Sequence, residues 1–329
     1  MAPCENSSTV HEDGNVVSST LLFTAGLIGN IIALVILWKH KRENRGQVSV
    51  FYILVTGLVV TDLLGKCLIS PVVFVSYATN RTLKALADHN SLCDYFSFTM
   101  SFFGIASMFF LFTMAVECWL SISHPFFYQR HFTKRRVVII FPAVYLCSLF
   151  ICSMPFMGLG STKQYCPGTW CFFNMANDEK KSASFSVLYA TLMAILIAAV
   201  LVCNSSVAIN LTKMYRRQRQ RSNSNLSGSR MRRFVHYEEL DNLVLLILMN
   251  VIFLICSLPL TIRAYIGAFA PDNKDEEDLI ALKFASVNSI VDPWVFIIFR
   301  TSVFRKLFMV CFQGSSTSVN LESVSAVEN

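Results

Sequence analysis

Seven long apolar stretches dominate this chain and limit what it can fold into. They cover residues 18–38, 50–77, 94–122, 137–159, 184–212, 240–268 and 279–299. Each has roughly the 20 mostly apolar residues that a helix needs to cross a membrane. The sequence therefore predicts an all-α membrane protein, with a seven-transmembrane helix bundle over residues 18–300.

The composition supports lipid as the solvent. The chain has 329 residues, of which 54% are hydrophobic and 15% charged, whereas soluble domains carry about 25% charged residues. So much apolar surface could not all be buried in the cores of a soluble two-domain enzyme. No nucleophile–base or metal-ligand spacing stands out, so the sequence indicates no enzyme, cofactor, metal site or nucleic-acid partner.

The basic residues predict the orientation of the bundle. Most of the 28 Lys and Arg residues lie after spans one, three, five and seven, and residues 1–17 contain none. Basic loops stay in the cytoplasm, which places the N-terminal segment 1–17 outside and the C-terminus inside the plasma membrane. The Asn-X-Ser/Thr sites at Asn6 and Asn80 then lie outside, where glycosylation is possible.

The C-terminal segment has two predicted parts. Residues 301–313 combine apolar with basic side chains, which suits a short amphipathic helix on the membrane surface. Cys311 is either a palmitoylation site or a plain free cysteine. Residues 314–329 are rich in Ser and short of apolar residues, so we expect a disordered cytoplasmic tail.

Three polar residues at membrane depth predict a switch. Asn30 lies in span one, Asp62 in span two and Asp292 in span seven, although such groups cost about 2.5–3.5 kcal/mol each on insertion scales. Two facing carboxylates cannot both stay ionised without a cation or a shared proton. We expect a sodium or proton switch, with a static hydrogen-bonded cluster as the alternative.

Two lysines in the spans each allow two interpretations. Lys66 follows Asp62 by one helical turn, so it forms an intrahelical ion pair or faces a cavity that binds a polar ligand group. Lys283 lies near the outer end of span seven and either snorkels to the headgroups or points inward. Its face continues through Ser286, which favours an anion-binding role if Asp292 faces inward.

Four cysteines lie on the predicted outer side, and they allow three pairings. They are Cys4, Cys93, Cys166 and Cys171. A bridge from Cys93 to Cys171 would pin the loop between spans four and five across the mouth of the bundle.

Short motifs along the spans resemble the rhodopsin-like G-protein-coupled receptors. They are Gly29-Asn30, Leu58 to Asp62, the Cys93 and Cys171 pair, Glu117, Cys256 to Pro259, and Asp292 to Phe296. The loop Gln164 to Phe172, the Asp292-Pro293-Trp294 triplet and Ser257 are similar to the prostanoid receptor family. The resemblance runs from about residue 20 to 312. It is greatest to the relaxant, cAMP-raising branch, ranked as prostaglandin D type, then prostaglandin E and prostacyclin types.

The resemblance implies a twenty-carbon lipid acid as ligand. Its carboxylate would be held near the outer mouth by Lys283, Tyr77 and Thr169. Lys66 and Ser286 would meet the ring substituents or the chain hydroxyl. The apolar slot would include Met100, with Phe103, Val287 and Phe269 as further candidates, and Cys4 would pair with Cys166.

The resemblance also implies the partners at the cytoplasmic end. A stimulatory heterotrimeric G protein would contact Glu117, Cys118, Pro125 and Phe126, membrane lipids would surround the bundle, and arrestin is a further candidate. Three residues depart from the pattern: Lys283 replaces an arginine, Cys118 an arginine and Phe296 a tyrosine. Lysine keeps the charge but loses the bidentate fork, and Cys118 cannot form the usual ionic lock.

Two other membrane classes compete with the receptor interpretation. Asp62, Lys66 and Asp292 would suit an ion-coupled transporter, but the chain has no inverted repeat. An opsin needs a Schiff-base lysine six residues before the position of Asp292, and that residue is Ser286. We therefore exclude the opsin.

Overall fold

Seven helices in the computed structural model are long and apolar enough to cross a membrane. The structure describes residues 7–11, 16–43, 49–175, 180–222, 230–270 and 274–300. Within these ranges the predicted seven-helix bundle is confirmed. The predicted surface helix 301–313, the tail 314–329 and the sites Cys4, Asn6 and Cys311 lie outside the described residues.

The helices are close to the predicted spans, with several extended ends. The spanning helices are α1 (Val16–Glu43), α2 (Val50–Thr79), α4 (Ser91–Ser123), α6 (Lys134–Ser153), α7 (Lys180–Ser222), α8 (Arg230–Phe269) and α9 (Asp275–Arg300). Two short helices lie between them, α3 (Leu83–Leu86) and α5 (Pro125–His131). Helices α7 and α8 continue well past the apolar stretches 184–212 and 240–268, because hydropathy marks the part in lipid and not the end of the helix.

A β-hairpin between α6 and α7 was not anticipated from the sequence. Strand β1 (Thr162–Tyr165) pairs antiparallel with β2 (Trp170–Phe173), and Gln164 lies opposite Cys171. Gly168 in the turn has a φ of 101°, and a Cβ atom there would collide with Thr82. Both the positive φ and the close contact with Thr82 therefore require glycine in this turn.

A disulfide fixes the hairpin to the bundle. Cys93 near the start of α4 is bonded to Cys171 in β2, and both residues are fully buried. This is the bridge considered above, and it holds the hairpin over one end of the bundle, here called the hairpin end. Cys166 is also disulfide-bonded, and its expected partner Cys4 is not among the described residues.

Helices α2, α4 and α6 meet at a glycine. A Cβ built on Gly57 would lie 2.6 Å from Cε1 of Phe141 and 2.7 Å from Cε1 of Phe110. One turn away, the hydroxyls of Thr61 and Tyr145 share a 2.8 Å hydrogen bond between α2 and α6. The absence of a side chain at residue 57 is what lets the two aromatic rings reach α2.

Helices α1 and α9 meet in a similar way at Gly29. A Cβ built there would lie 2.8 Å from Nε1 of Trp294. The same indole N–H donates to the carbonyl oxygen of Ala25 at 3.1 Å. The Gly29-Asn30 and Pro293-Trp294 motifs are therefore two sides of one helix contact.

The close approach at residue 57 predicts a stability difference between two glycines. Gly57→Ala should destabilise the unliganded protein by about 1–3 kcal/mol, because the two rings must move. The matched control is Gly104→Ala in α4, where a Cβ meets no heavy atom within 4 Å. Thermal unfolding of the purified chain in detergent measures both. Equal melting temperatures for the two variants would contradict the packing described here.

Candidate functional site

A cavity opens inside the hairpin end of the bundle. It encloses about 1200 Å³ of space, part of it open to solvent, between α1, α2, α4, α7, α8, α9 and β2. Most of the wall is apolar or aromatic, and it includes Leu22, Phe23, Val73, Phe74, Phe96, Met100, Phe103, Trp170, Phe172, Tyr189, Met193, Phe253 and Leu260. A few serines and the side chains of Lys66, Asp62 and Asn288 interrupt it. Such a lining suits a long organic molecule with a few polar groups.

Lys66 contributes a cation to this wall. Its Nζ donates to the carbonyl oxygen of Ser286 at 3.1 Å, and its stem passes 3.5 Å from a Cβ built on Gly26. Among the described residues no carboxylate lies within 4.0 Å of this amine, so the intrahelical pair with Asp62 is not formed. The Lys66 amine therefore lies where it can donate to a polar group of a molecule in the cavity.

The structure divides the predicted ligand residues into two groups. Lys66, Ser286, Met100 and Phe103 line the cavity. The remaining five do not line it: they are Lys283, Tyr77, Thr169, Val287 and Phe269.

The second group has varied surroundings at the hairpin end. Lys283 and Phe269 are exposed, and the carbonyl of Lys283 accepts a 2.8 Å bond from the hydroxyl of Ser286. Tyr77 packs against the apolar cluster that contains Cys93 and Cys171. Thr169 is fully buried, and its hydroxyl has no hydrogen-bond partner among the described residues. An orphaned buried hydroxyl calls for a water or a ligand group.

Ion pairs tie the hairpin and α8 to the start of α9. Nε of Arg263 lies 2.6 Å from Oδ1 of Asp278, and Nη1 lies 2.9 Å from Oε2 of Glu277. Lys163 in β1 pairs with Asp275 at 2.8 Å. The Arg263 side chain is only 8% exposed, where a charge needs a partner. An arginine in span six near an acidic run was the available signal, and the sequence analysis did not use it.

Beside the cavity, polar side chains of the four helices α1, α2, α4 and α9 are hydrogen-bonded in the interior of the bundle. Oδ1 of Asp62 accepts from the hydroxyl of Ser107 at 2.7 Å, and Oδ2 of Asp292 accepts from Nδ2 of Asn288 at 3.0 Å. Asn30 donates to the carbonyl of Ser289 at 3.1 Å. Asn288 precedes Asp292 by one helical turn, so helical spacing could have identified it from the sequence.

Four buried oxygens in this region have no hydrogen-bond partner among the described residues. They are Oδ1 of Asn30, Oδ2 of Asp62, Oδ1 of Asn288 and Oδ1 of Asp292. The two carboxylates are close enough to act on each other electrostatically. Buried acceptors without donors need water or a cation, and this set supplies only oxygen ligands and negative charge.

At the opposite end of the bundle, Glu117 is held by a residue that the sequence analysis missed. The hydroxyl of Tyr128 in α5 donates to Oε1 of Glu117 at 2.6 Å, and Sγ of Cys118 lies 3.6 Å from Oε2. Glu117 and Cys118 are buried. Pro125 is exposed and Phe126 is 89% exposed at the start of α5.

Comparisons with known proteins agree with this architecture. Residues 29–296 match the family described as "7 transmembrane receptor (rhodopsin family)". The chain is 52% identical to the prostaglandin D2 receptor of Mus musculus, over 99% of this chain and 97% of that protein. It is 46% identical to the prostacyclin receptor of Rattus norvegicus, over 94% and 73%. The crystal structure of squid rhodopsin has a TM-score of 0.75 at 16% identity, covering 88% of this chain and 78% of rhodopsin.

The similarity to the prostaglandin D2 receptor extends over nearly the whole chain. The similarities concern receptors and not enzymes, and they imply a multi-pass protein of the plasma membrane. The chain therefore belongs to the rhodopsin family of seven-transmembrane, G-protein-coupled receptors and, within it, to the prostanoid receptors.

Proposed function

We propose that this chain is a receptor for prostaglandin D that couples to the stimulatory G protein and raises cAMP. The observation that carries the proposal is the cavity with apolar walls and the Lys66 amine in one side. A twenty-carbon acid with a few oxygen substituents has the complementary chemistry. Receptors for prostaglandin E of the relaxant type and for prostacyclin are the alternatives within the same family.

The ligand assignment uses both lysines. Lys66 meets the ring substituents or the chain hydroxyl, beside Ser286 and Met100. Lys283 lies one turn from Ser286 and has no carboxylate partner among the described residues. Its flexible stem turns toward the mouth to hold the ligand carboxylate, together with Tyr77 and Thr169. The unpartnered Thr169 hydroxyl supports this role.

The signal passes through a shift of population between two arrangements of the helices. Asp62 and Asn288 line the cavity. Asn30 joins α1 to α9 through the carbonyl of Ser289, and Asp62 joins α2 to α4 through Ser107. A sodium ion on the four unpartnered oxygens stabilises the arrangement without agonist. An ion-coupled transporter would use the same groups, but membership of a receptor family disfavours it.

The G protein binds at the end opposite the hairpin, which faces the cytoplasm. There the exposed Phe126 and Pro125 of α5 contact it, while Tyr128 holds the Glu117 carboxylate. Arrestin uses the same end, and Cys311 anchors the following segment through palmitoylation. The hairpin end is extracellular, so the exposed Asn80 carries a glycan, as does Asn6.

The first test measures cAMP in cells that express the chain. The cells are dosed in parallel with prostaglandin D, prostaglandin E and a stable prostacyclin analogue. We expect cAMP to rise at the lowest dose of prostaglandin D. A response led by another prostanoid would replace the assigned ligand, and no response from protein at the cell surface would refute the receptor function as stated.

The second test changes the proposed carboxylate partner. Lys283→Ala should raise the half-maximal dose of a prostanoid acid about 10- to 100-fold, because a hydrogen bond to a charged group contributes about 1.5–3 kcal/mol. Lys283→Arg should preserve or strengthen the response. Lys84→Ala removes the same charge from α3 at the same end and serves as the control. Full potency in Lys283→Ala would reject this lysine as the carboxylate partner.

The third test concerns the buried carboxylates. Replacing potassium by sodium should lower agonist affinity by about fivefold or more in the parent chain, within the range of allosteric coupling. Asp62→Asn should remove this difference, because the neutral amide no longer attracts the ion. Asp94→Asn is the control, since Asp94 bonds Thr162 at the hairpin. No sodium effect in the parent chain would favour the static hydrogen-bonded cluster, and a sodium effect that survives Asp62→Asn would reject Asp62 as the ion site.

A further inference from the structure

A second cavity lies between the ends of α1 and α9, on the side opposite the hairpin. It encloses about 570 Å³ of space open to solvent and is lined by Ile36, Lys39, His40, Glu43 and Arg300. None of these residues takes part in the ligand cavity or the buried polar cluster. Lys39 and Arg300 bring two cations to the lining, Glu43 one carboxylate and Ile36 an apolar side chain.

Arg300 is fixed in this cavity by neutral groups. Its Nη2 lies 2.7 Å from Nδ1 of His40. A guanidinium can only donate, so Nδ1 accepts, and His40 is neutral with its proton on Nε2. The guanidinium also lies 5.1 Å above the ring of Tyr52, and the His40 and Tyr52 rings are 4.3 Å apart. The guanidinium is positioned but its charge is not neutralised: no described carboxylate lies within 4.0 Å of it.

Lys39 adds a second cation that is free to move. Its Nζ lies 3.9 Å from Oε1 of Glu43, and the two side chains are 73% and 63% exposed. An exposed pair of this kind contributes little, so Lys39 can exchange Glu43 for a better anion. Arg300 offers a planar set of donors that matches a phosphate group.

The depth of the cavity matches the headgroup layer of a membrane. Helix α1 exposes apolar Ile31, Ile32 and Val35 to the outside of the bundle. Trp38 follows and is 62% exposed, with the guanidinium of Arg42 5.5 Å above its ring. Exposed tryptophan is enriched where lipid meets water. The change from apolar to basic residues at Trp38 therefore places Lys39, His40 and Arg300 at the level of lipid phosphates.

We infer that this cavity binds the phosphorylated headgroup of an anionic phospholipid, with phosphates on Arg300 and Lys39 and the glycerol region against Ile36. The bound lipid joins the end of α1 to the end of α9. A headgroup with phosphomonoesters suits the site best, because the Arg300 guanidinium and the Lys39 amine both line the cavity and each can donate to phosphate oxygens. The inference is independent of the prostanoid and of the type of G protein.

The experiment uses native mass spectrometry of the full chain purified in detergent. It measures the binding of a short-chain phosphatidylinositol bisphosphate. Lys39→Gln should weaken binding about fivefold, the factor that corresponds to about 1 kcal/mol per basic residue near an anionic surface. Arg300→Gln should weaken it at least as much. Lys41→Gln is the matched control, because Lys41 lies two residues after Lys39 near the end of α1 but does not line the cavity.

Three results would overturn the inference. Equal weakening by Lys41→Gln and Lys39→Gln would indicate diffuse attraction to a basic surface. Equal binding of phosphatidylserine would exclude selectivity for the phosphorylated headgroup. Equal binding of free inositol trisphosphate would assign the site to a soluble phosphate instead of a lipid. Because Lys39 is largely exposed, its variant stays folded and keeps the test decisive even if Arg300→Gln unfolds.

Discussion

Lipid offers no hydrogen bonds, so each polar group inside this bundle must find its partner in the chain itself or in a bound water or ion. The helices satisfy their own backbones, and their polar side chains then form the contacts between them. Trp294 reaches the carbonyl of Ala25, Asn30 reaches Ser289 and Ser107 reaches Asp62. Among the described residues nine buried side-chain oxygens have no hydrogen-bond partner, and four of them, on Asn30, Asp62, Asn288 and Asp292, belong to the polar cluster beside the ligand cavity. The constraint that builds the bundle therefore also accounts for the choice of this cluster as the proposed ion site.

Charge is distributed differently at the two ends. At the hairpin end the cations Arg263 and Lys163 are paired with carboxylates of α9, which fixes the hairpin and α8 to that helix. Lys66 alone among the cavity-lining residues brings a cation to the ligand space in the described part of the chain. At the opposite end Arg300 is held by a histidine and a tyrosine ring. The paired cations thus hold helices and hairpin together, and the cations without a carboxylate partner among the described residues are the ones to which ligand binding is assigned by proposal.

The seven spans could be predicted from hydropathy because length and apolar content are local properties of the sequence. The hairpin could not, since its strands have four residues each and depend on Gly168 packing against Thr82. Asp62, Asp292 and Asn30 could be identified because polar residues are rare in lipid. Asn288, one helical turn before Asp292, could have been found from helical spacing, whereas Ser107 could not be singled out among the many serines of the spans. Tyr128 was missed because its role depends on a hydrogen bond to Glu117 that is visible only in the folded structure.

The contact between Gly29 and Trp294 has a consequence for engineering this receptor. The indole occupies the volume that any larger residue at position 29 would need, and its N–H is bonded to the same turn of α1. The two positions are thus energetically coupled, as residues in direct contact usually are. In a library that varies one position at a time, most substitutions at either position would destabilise the protein. Exchanging them together, with a larger residue on α1 and a smaller one on α9, is the route by which this helix interface can be redesigned.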